Sequence, residues 1–187
     1  MADLVKSLVR AQGILLDAGI ESAVIGAMAL AVRGEPRYTK DVDIKVLLGR
    51  DEAARLLDAI PSDYRPIGGD PLEMLHLAGM IFFIDPDGIR MDLLLADTAF
   101  DHDVIRRATS VELAPGFVAR ICTAEDLVIY KMISTREKDH ADLASIIKRQ
   151  GSRLDQEYIV RWLREFEIAL DDSTMVAEFE RRIHRTR

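Results

Sequence analysis

Residues 41–46 alternate charged and apolar side chains without interruption. Successive side chains of a β-strand point to opposite faces of the sheet, so this pattern predicts a half-buried strand whose three apolar residues face the core. Asp41 and Asp43 then share the other face. The segment therefore predicts a sheet with one partly open face that carries two neighbouring carboxylates.

A third carboxylate, Asp92, lies in a second strand-like segment. Residues 89–95 place their odd-numbered apolar side chains on one face, which leaves Asp92 on the opposite face. Residues 85–88, Asp-Pro-Asp-Gly, are typical of a turn and join this segment to residues 79–84 as an antiparallel hairpin. If the strand of Asp92 lies beside that of Asp41, the three acids come together.

Three carboxylates within a few ångströms repel one another and raise the pKa of at least one of them. A divalent cation removes this conflict, and hard oxygen ligands suit Mg²⁺. Two such ions roughly 4 Å apart activate an attacking hydroxyl and stabilise a leaving pyrophosphate. We therefore predict Asp41, Asp43 and Asp92 as metal ligands and catalytic residues. The alternative is a surface salt-bridge ladder, with Lys45 beside Asp43 and Arg90 beside Asp92.

The remaining pattern alternates helix and strand in the first part of the chain and is helical from Thr123 onward. We expect an α/β fold with a small mixed β-sheet flanked by helices. It divides into an α/β core over residues 1–122 and a helical region over 123–187 that packs on the core.

Residues 61–77 contain Pro66, Gly68, Gly69 and Pro71, and are predicted to be an irregular loop at the edge of a cleft. Predicted helices cover residues 4–18, 27–32 and 51–60, and predicted strands 22–25 and 116–121.

Composition and charge exclude several classes of protein. Apolar residues make up 49% of the chain, but no apolar run approaches the roughly 20 residues that span a bilayer. The opening residues do not resemble a secretory signal, and a lone Cys122 allows no internal disulfide, so we expect a cytoplasmic protein. A net charge of −7 argues against extended, non-specific binding of nucleic acid but is compatible with a small basic cleft. The basic ending at 181–187 is expected to be a solvated helix end.

Gly26 follows an apolar strand and precedes a helix. A small residue at this place lets backbone N–H groups approach a phosphate at the helix N-terminus. A tight strand-to-helix turn would require glycine equally well.

Gly26, Asp41, Asp43 and Asp92 together resemble the signature of the nucleotidyltransferase superfamily. That signature is a hydrophobic-Gly-(Gly or Ser) turn, followed by Asp-hydrophobic-Asp-hydrophobic and a later carboxylate. Ala27 stands where the signature has Gly or Ser, which removes a hydroxyl but leaves backbone contacts to phosphate. The resemblance implies the nucleotidyltransferase fold, an NTP substrate such as ATP, and two Mg²⁺ ions, for which Mn²⁺ can substitute.

Two later segments, 124–131 and 136–143, are similar to AbiEii-type and related minimal nucleotidyltransferases, which include the toxin halves of bacterial toxin–antitoxin pairs. Lys131 is the only interior charge of a helix that is apolar almost all round, so it needs a partner, a wet cleft or a path to the surface. Thr123 with Asp126 three residues later is predicted to form a capping box at the start of this helix. Asp139 is predicted to cap the next helix, with Asp142 in its first turn. The run before Asp41 also resembles the Arg-x-Thr-x-Asp pattern of these proteins. The resemblance implies nucleotide-binding roles for Gly26, Ala27, Arg37, Thr39, Lys40 and Lys131, and an orienting role toward Lys131 for Lys138, Asp139 and Asp142.

The reaction implied is transfer of a nucleoside monophosphate from an NTP to a hydroxyl acceptor. An RNA end such as that of tRNA is the first expectation for the acceptor, in a toxin–antitoxin context with an antitoxin protein as partner. A small hydroxylated molecule such as an antibiotic is the second. A protein of the same fold that binds a nucleotide or a partner without turnover is the third.

Overall fold

The computed structural model describes residues 2–185, so Met1 and the last two residues of the basic ending, Thr186 and Arg187, lie outside the described residues. The helices are α1 (Ala2–Asp17), α2 (Gly26–Arg33), α3 (Ala53–Ala59), α4 (Pro71–Ala78), α5 (Ala99–Arg107), α6 (Ala124–Met132), α7 (Glu137–Gln150), α8 (Gln156–Leu170) and α9 (Met175–Arg185). The strands are β1 (Ser22–Val24), β2 (Asp41–Val46), β3 (Arg65–Ile67), β4 (Met80–Ile84), β5 (Arg90–Leu95), β6 (Thr109–Ala114) and β7 (Phe117–Ile121).

Contacts divide the described chain into two compact units. The first runs to Met28, resumes at Tyr38 and ends at Cys122, and it contains the whole sheet. The second comprises Ala29–Arg37 and the helices from Thr123 onward. Among residues 2–185, no helix is both long and apolar enough to cross a bilayer.

The sheet of the first unit has seven strands in the order β3-β4-β5-β2-β1-β7-β6. The β2–β5 and β1–β7 pairs are parallel and the other pairs are antiparallel, so the predicted mixed sheet is confirmed. The predicted hairpin over β4 and β5 is also confirmed. Its turn is stabilised by Asp85, whose Oδ1 accepts the backbone N–H groups of Asp87 and Ile89 at 2.9 and 2.8 Å.

The apolar side chains of β2 lie on one face of the sheet. Val42, Ile44 and Val46 on β2 are fully buried. The residues that alternate with them, Asp41, Asp43 and Lys45, are only partly buried. The alternation in sequence therefore becomes an alternation in burial, as a half-open sheet requires. Helix α1 packs against β1, β2 and β7, and buries Leu8 and Leu15.

The loop predicted over residues 61–77 is wrong, because this segment forms β3 and α4. Helix α4 has a complete start and stop. Asp70 accepts the N–H of Glu73 at 2.9 Å, Pro71 occupies the first turn, and Gly79 ends the helix at φ 65°. The prolines and glycines that suggested a loop are thus, in part, helix boundary signals.

Two further elements between 96 and 115 had no prediction. Helix α5 begins with a capping box, in which the Thr98 side chain accepts the N–H of Asp101 and Asp101 accepts the N–H of Thr98. Strand β6 pairs with β7 and forms one edge of the sheet. The strand predicted at 116–121 is confirmed as β7.

The second unit is helical, as predicted for the region after Thr123. The predicted capping box of Thr123 and Asp126 starts α6. The Tyr158 hydroxyl on α8 donates a hydrogen bond of 2.7 Å to Asp126, so the two helices share a buried polar contact. Leu127 on α6 and Leu163 on α8 are fully buried.

The exposure of two leucines in neighbouring helices gives a direct test of the core. Leu56 on α3 is 0% exposed and Leu77 on α4 is 74% exposed. Leu56→Ala should lower the free energy of unfolding by about 2–5 kcal/mol, because buried methylene groups are lost and a cavity remains. Leu77→Ala should change it by about 0.5 kcal/mol or less. Urea denaturation measures both, and equal losses would contradict the assignment of the core.

Candidate active site

The register between β2 and β5 brings the three predicted acids to one face. Asp43 pairs directly with Asp92, and Asp41 pairs with Arg90. In a parallel pair with this register, matched residues point to the same side of the sheet, so Asp41, Asp43 and Asp92 occupy neighbouring positions on the half-open face. Arg90 completes the group as its cation.

Gly26 lies against this group from the side of β1. It follows β1 with a φ of +63°, a left-handed conformation that favours glycine. A Cβ atom at this position would lie 2.7 Å from Cγ of Asp43, well inside van der Waals contact, and closer still to Oδ2. Glycine is therefore required here for two reasons: the positive φ of the turn, and the space that the Asp43 carboxylate occupies. Ala27 behind it is buried.

Asp41 and Asp92 each accept hydrogen bonds from neighbouring side chains. The Thr39 hydroxyl donates to Oδ1 of Asp41. Arg90 makes a two-pronged contact with Asp92, with Nε 2.6 Å from Oδ1 and Nη2 3.0 Å from Oδ2. These hydrogen bonds raise the pKa of Arg90 although partial burial opposes them, and the charges of Asp92, Asp41 and Asp43 add to the effect.

The salt-bridge ladder considered as an alternative forms only in part. Arg90 does pair with Asp92 as that alternative requires. Lys45 instead contacts Asp101 of α5 at 3.0 Å and donates to the Leu95 carbonyl at 3.0 Å. This pair is largely buried and links the sheet to α5.

The donor chemistry of the three acids fits a hard divalent cation. A carboxylate has about four lone-pair positions, and Arg90 uses two of those on Asp92, which leaves both of its oxygens able to accept a further ligand. Among residues 2–185, no three His, Cys, Asp or Glu side chains already stand in the arrangement of a metal centre. The three neighbouring aspartates would have to turn toward a common point to surround an ion.

One neighbour of the acids carried no sequence prediction. Phe82 on β4 pairs with Asp92 across the antiparallel ladder, and its ring centroid lies 4.5 Å from Cζ of Arg90. Counting back across the hairpin turn from Asp92 would have placed Phe82 on the same face. Asp101, the partner of Lys45, gave no comparable signal.

The nucleotide-binding residues predicted outside this face are divided between the units. In the first unit Lys40 is exposed, with its Nζ 5.9 Å from the ring centroid of Tyr38. In the second, Arg37 contacts Asp142 through Nε at 3.0 Å and Nη2 at 3.2 Å. Lys138 is exposed.

Lys131 lies at the centre of a buried charge cluster in the second unit. The residue is 3% exposed, and its ammonium group donates to Asp139 and, at 2.8 Å, to Asp142. Lys131 therefore does not extend to the surface. Burial acts to raise the pKa of Asp139, but hydrogen bonds from Lys131, Ser134 and Arg136 outweigh it and lower the pKa to about 2.

The predicted cap of α7 is wrong. The helix begins at Glu137 with Arg136 as its N-cap, so Asp139 is the third helical residue and Asp142 lies in the second turn. The Asp139 carboxylate instead accepts from Lys131, Ser134 and Arg136. The ion pairs with Lys131 also need Asp139 and Asp142 on one face of the helix. Spacing by three residues provides that face.

Solved structures similar to this one share a single fold. The antibiotic-resistance factor ANT(2'')-Ia matches with a TM-score of 0.57 at 14% identity, over 89% of this chain and 93% of that chain. An antigenic nucleotidyltransferase-like protein from Paracoccidioides brasiliensis matches with a TM-score of 0.53 at 17% identity, over 93% and 92%. The lincomycin-bound lincosamide antibiotic adenylyltransferase LnuA matches with a TM-score of 0.53 at 10% identity, over 75% and 94%. The chain has the nucleotidyltransferase fold.

At these identities the likeness is one of fold. No protein-family model matches the sequence, and a comparison with curated proteins finds no match either. The nucleotidyltransferase fold confirms the architecture expected from the sequence resemblance. The narrower AbiEii-type resemblance stays a prediction.

The contact between Gly26 and Asp43 can be tested with a matched glycine. Gly88, in the turn between β4 and β5, also has a positive φ of 81°, but a Cβ added there would meet no atom within 4 Å. Gly88→Ala should cost about 1–2 kcal/mol of unfolding free energy through backbone strain alone. Gly26→Ala should cost about 1–2 kcal/mol more, because its Cβ displaces the Asp43 carboxylate. Equal costs in urea denaturation would show that the predicted contact is absent.

The low pKa of Asp139 predicts a pH-dependent contribution to stability. Because the folded pKa of about 2 lies below the ordinary 3.8, the contribution is present above pH 3.8 and is lost as the pH falls toward 2. It amounts to about 2 kcal/mol at neutral pH. Asp139→Asn should therefore destabilise the protein at pH 6 and less so at pH 3. Asp171→Asn is the control, since Asp171 is an exposed residue at φ 53° where asparagine is equally tolerated. A difference independent of pH would contradict the assigned ion pairs.

Proposed function

We propose that this protein catalyses Mg²⁺-dependent transfer of a nucleoside monophosphate from an NTP to a hydroxyl group of an acceptor. The observation that carries the proposal is the β2–β5 register, which sets Asp43 beside Asp92 with Asp41 on the same face. The turn at Gly26 and the N-terminus of α2 lie next to Asp43 and offer backbone N–H groups to a triphosphate. Carboxylates beside a phosphate cradle form a functional unit for phosphoryl-group chemistry.

The three acids would bind the metal ions, and Asp92 has a second task. Asp41 and Asp43 would hold both ions and Asp92 one, and bound Mg²⁺ would neutralise charge on the phosphates and lower the pKa of the attacking hydroxyl. The acceptor oxygen forms a bond to the α-phosphorus, and the bond from that phosphorus to the pyrophosphate oxygen breaks. The hydroxyl proton passes to Asp92. Thr39 fixes the orientation of Asp41 through their hydrogen bond.

The cations differ in how readily they could reach a triphosphate. Lys40 is exposed in the first unit and is our choice for a phosphate contact. Lys131 and Arg37 are each already neutralised by aspartates within the second unit. Those contacts favour a structural role for both, in which Asp139 and Asp142 hold Lys131 as the sequence resemblance implies.

The acceptor has two candidates. The sequence resemblance favours an RNA end such as that of tRNA. The likeness in fold to LnuA and ANT(2'')-Ia, named for lincosamide adenylylation and antibiotic resistance, favours a small hydroxylated molecule. The toxin–antitoxin context and an antitoxin partner stay predictions of the sequence resemblance, and a non-catalytic nucleotide-binding role is the outcome if turnover fails.

Nucleotide binding tests the proposal before any acceptor is known. At an NTP concentration 100-fold above Kd, binding adds about 2.7 kcal/mol and should raise the unfolding temperature by about 5–10 °C. The shift should require Mg²⁺ and should disappear in Asp41→Asn/Asp43→Asn. Thermal unfolding with each NTP, with and without Mg²⁺, measures it.

The matched control is Asp58→Asn/Asp63→Asn, which removes the same charge from exposed positions of the first unit. This double variant should keep the full shift. If both double variants lose it equally, net charge and not the proposed site explains the effect. No shift with any NTP in the folded wild-type protein would overturn the proposal.

A further inference from the structure

The open face of the sheet continues beyond Asp92 onto β4 and β3. Directly opposed residues of antiparallel strands point to the same side, so the register carries Asp92 across to Phe82 and then to Ile67. By the same rule Arg65 of β3 lies on this face, in the row of Arg90. Phe82 is half-buried, Ile67 is 37% exposed and both arginines are exposed. This aromatic and cationic surface has no role in the mechanism described so far.

Arg90 is fixed from two sides on this surface. Its guanidinium lies over the Phe82 ring at 4.5 Å, and its edge makes two hydrogen bonds to Asp92. The side chain is nevertheless 45% exposed. A guanidinium plane held in this way presents a flat, positively charged surface, and the entropy cost of ordering it has already been met.

The order of the strands fixes which substrate can approach from this side. Gly26 follows β1 and lies on one side of Asp43, whereas Phe82 on β4 lies on the other side, beyond Asp92. An in-line displacement requires the leaving pyrophosphate and the attacking hydroxyl on opposite sides of the reacting phosphorus. With the triphosphate at Gly26, the acceptor must come from the side of β4. This step rests on the proposed function.

We infer that the face formed by Arg65, Phe82 and Arg90 is the acceptor subsite, and that it takes the terminal nucleotide of a single-stranded nucleic acid. The terminal base stacks on the Arg90 guanidinium, which is backed by Phe82, as bases stack on aromatic rings and guanidinium planes elsewhere. Arg65 contacts the preceding phosphate. Two exposed arginines attract an anionic chain and disfavour a polycationic aminoglycoside. A binding surface with only two arginines is compatible with the net charge of −7.

Binding of a labelled oligonucleotide tests the subsite without NTP. The probes are single-stranded RNA and DNA of one sequence and about eight nucleotides, labelled at the 5′ end and followed by fluorescence anisotropy. Phe82→Leu keeps an apolar side chain but removes the ring behind Arg90, and it should weaken binding about 10-fold. Phe117→Leu is its matched control on β7, where Phe117 is 37% exposed. Thermal unfolding of both variants shows whether each is folded.

Arg65 provides a second test that does not touch the core. Arg65→Gln should lower the slope of log K against log salt by about 1. Arg106→Gln, at an arginine of α5 whose side chain is 75% exposed, should leave the slope unchanged. Tighter binding of RNA or of DNA then identifies which of the two supplies the acceptor.

The outcomes separate this inference from the proposed function. If the Mg²⁺-dependent NTP shift is present but neither oligonucleotide binds, the inference is overturned and the proposed function stands. Equal effects of Phe82→Leu and Phe117→Leu also overturn it. So does binding of tobramycin, a polycationic probe, that Phe82→Leu weakens. Oligonucleotide binding that depends on Phe82 without an NTP shift overturns the nucleotidyl transfer and, with it, the acceptor role, and leaves this face as a nucleic-acid-binding surface.

Discussion

The parallel pairing of β2 with β5 is the constraint on which the candidate site depends. Its register sets Asp43 beside Asp92 and Asp41 beside Arg90. A slip of one residue would turn Asp92 toward the core and Leu93 toward the open face, because side chains alternate with a period of two. The buried faces of both strands, with Val42, Ile44 and Val46 on β2, prevent that slip. The same apolar residues that build the core therefore fix the positions of the acids.

Arg90 helps to explain how the three acids can lie together. Like-charged carboxylates on neighbouring strands repel, and a guanidinium that feels all three charges offsets the repulsion. Its contact with Asp92 leaves lone pairs on both oxygens, so the ion pair and a metal ligand are compatible on one carboxylate. Phe82 holds the other side of the guanidinium. One side chain thus connects the acids to the aromatic surface of β4.

The second unit contains a cluster of charged side chains in its interior. Lys131 is buried in the last turn of α6, and an isolated buried ammonium group would be strongly disfavoured. Asp139 and Asp142 on α7 compensate it, and Arg37 and Arg136 in turn engage these aspartates. Such a cluster specifies how α6 and α7 meet, because removal of Lys131 or of either aspartate leaves a buried charge with fewer partners. Asp126 and Tyr158 make the corresponding contact between α6 and α8.

Local chemistry in the sequence determined much of the fold and the identity of the three acids. Period-two alternation identified β2 and β5, and the Asp-Pro-Asp-Gly turn identified the hairpin of β4 and β5. Thr123 with Asp126 identified the start of α6. Each of these signals acts between residues close in the chain. Residues 61–77 were misjudged since proline and glycine mark both loops and helix ends. The tertiary structure alone decided that β2 and β5 are adjacent and that Lys45 pairs with Asp101. Those outcomes depend on strand order and helix packing, in which residues distant in sequence meet, and no local pattern encodes which of several charged partners will be nearest.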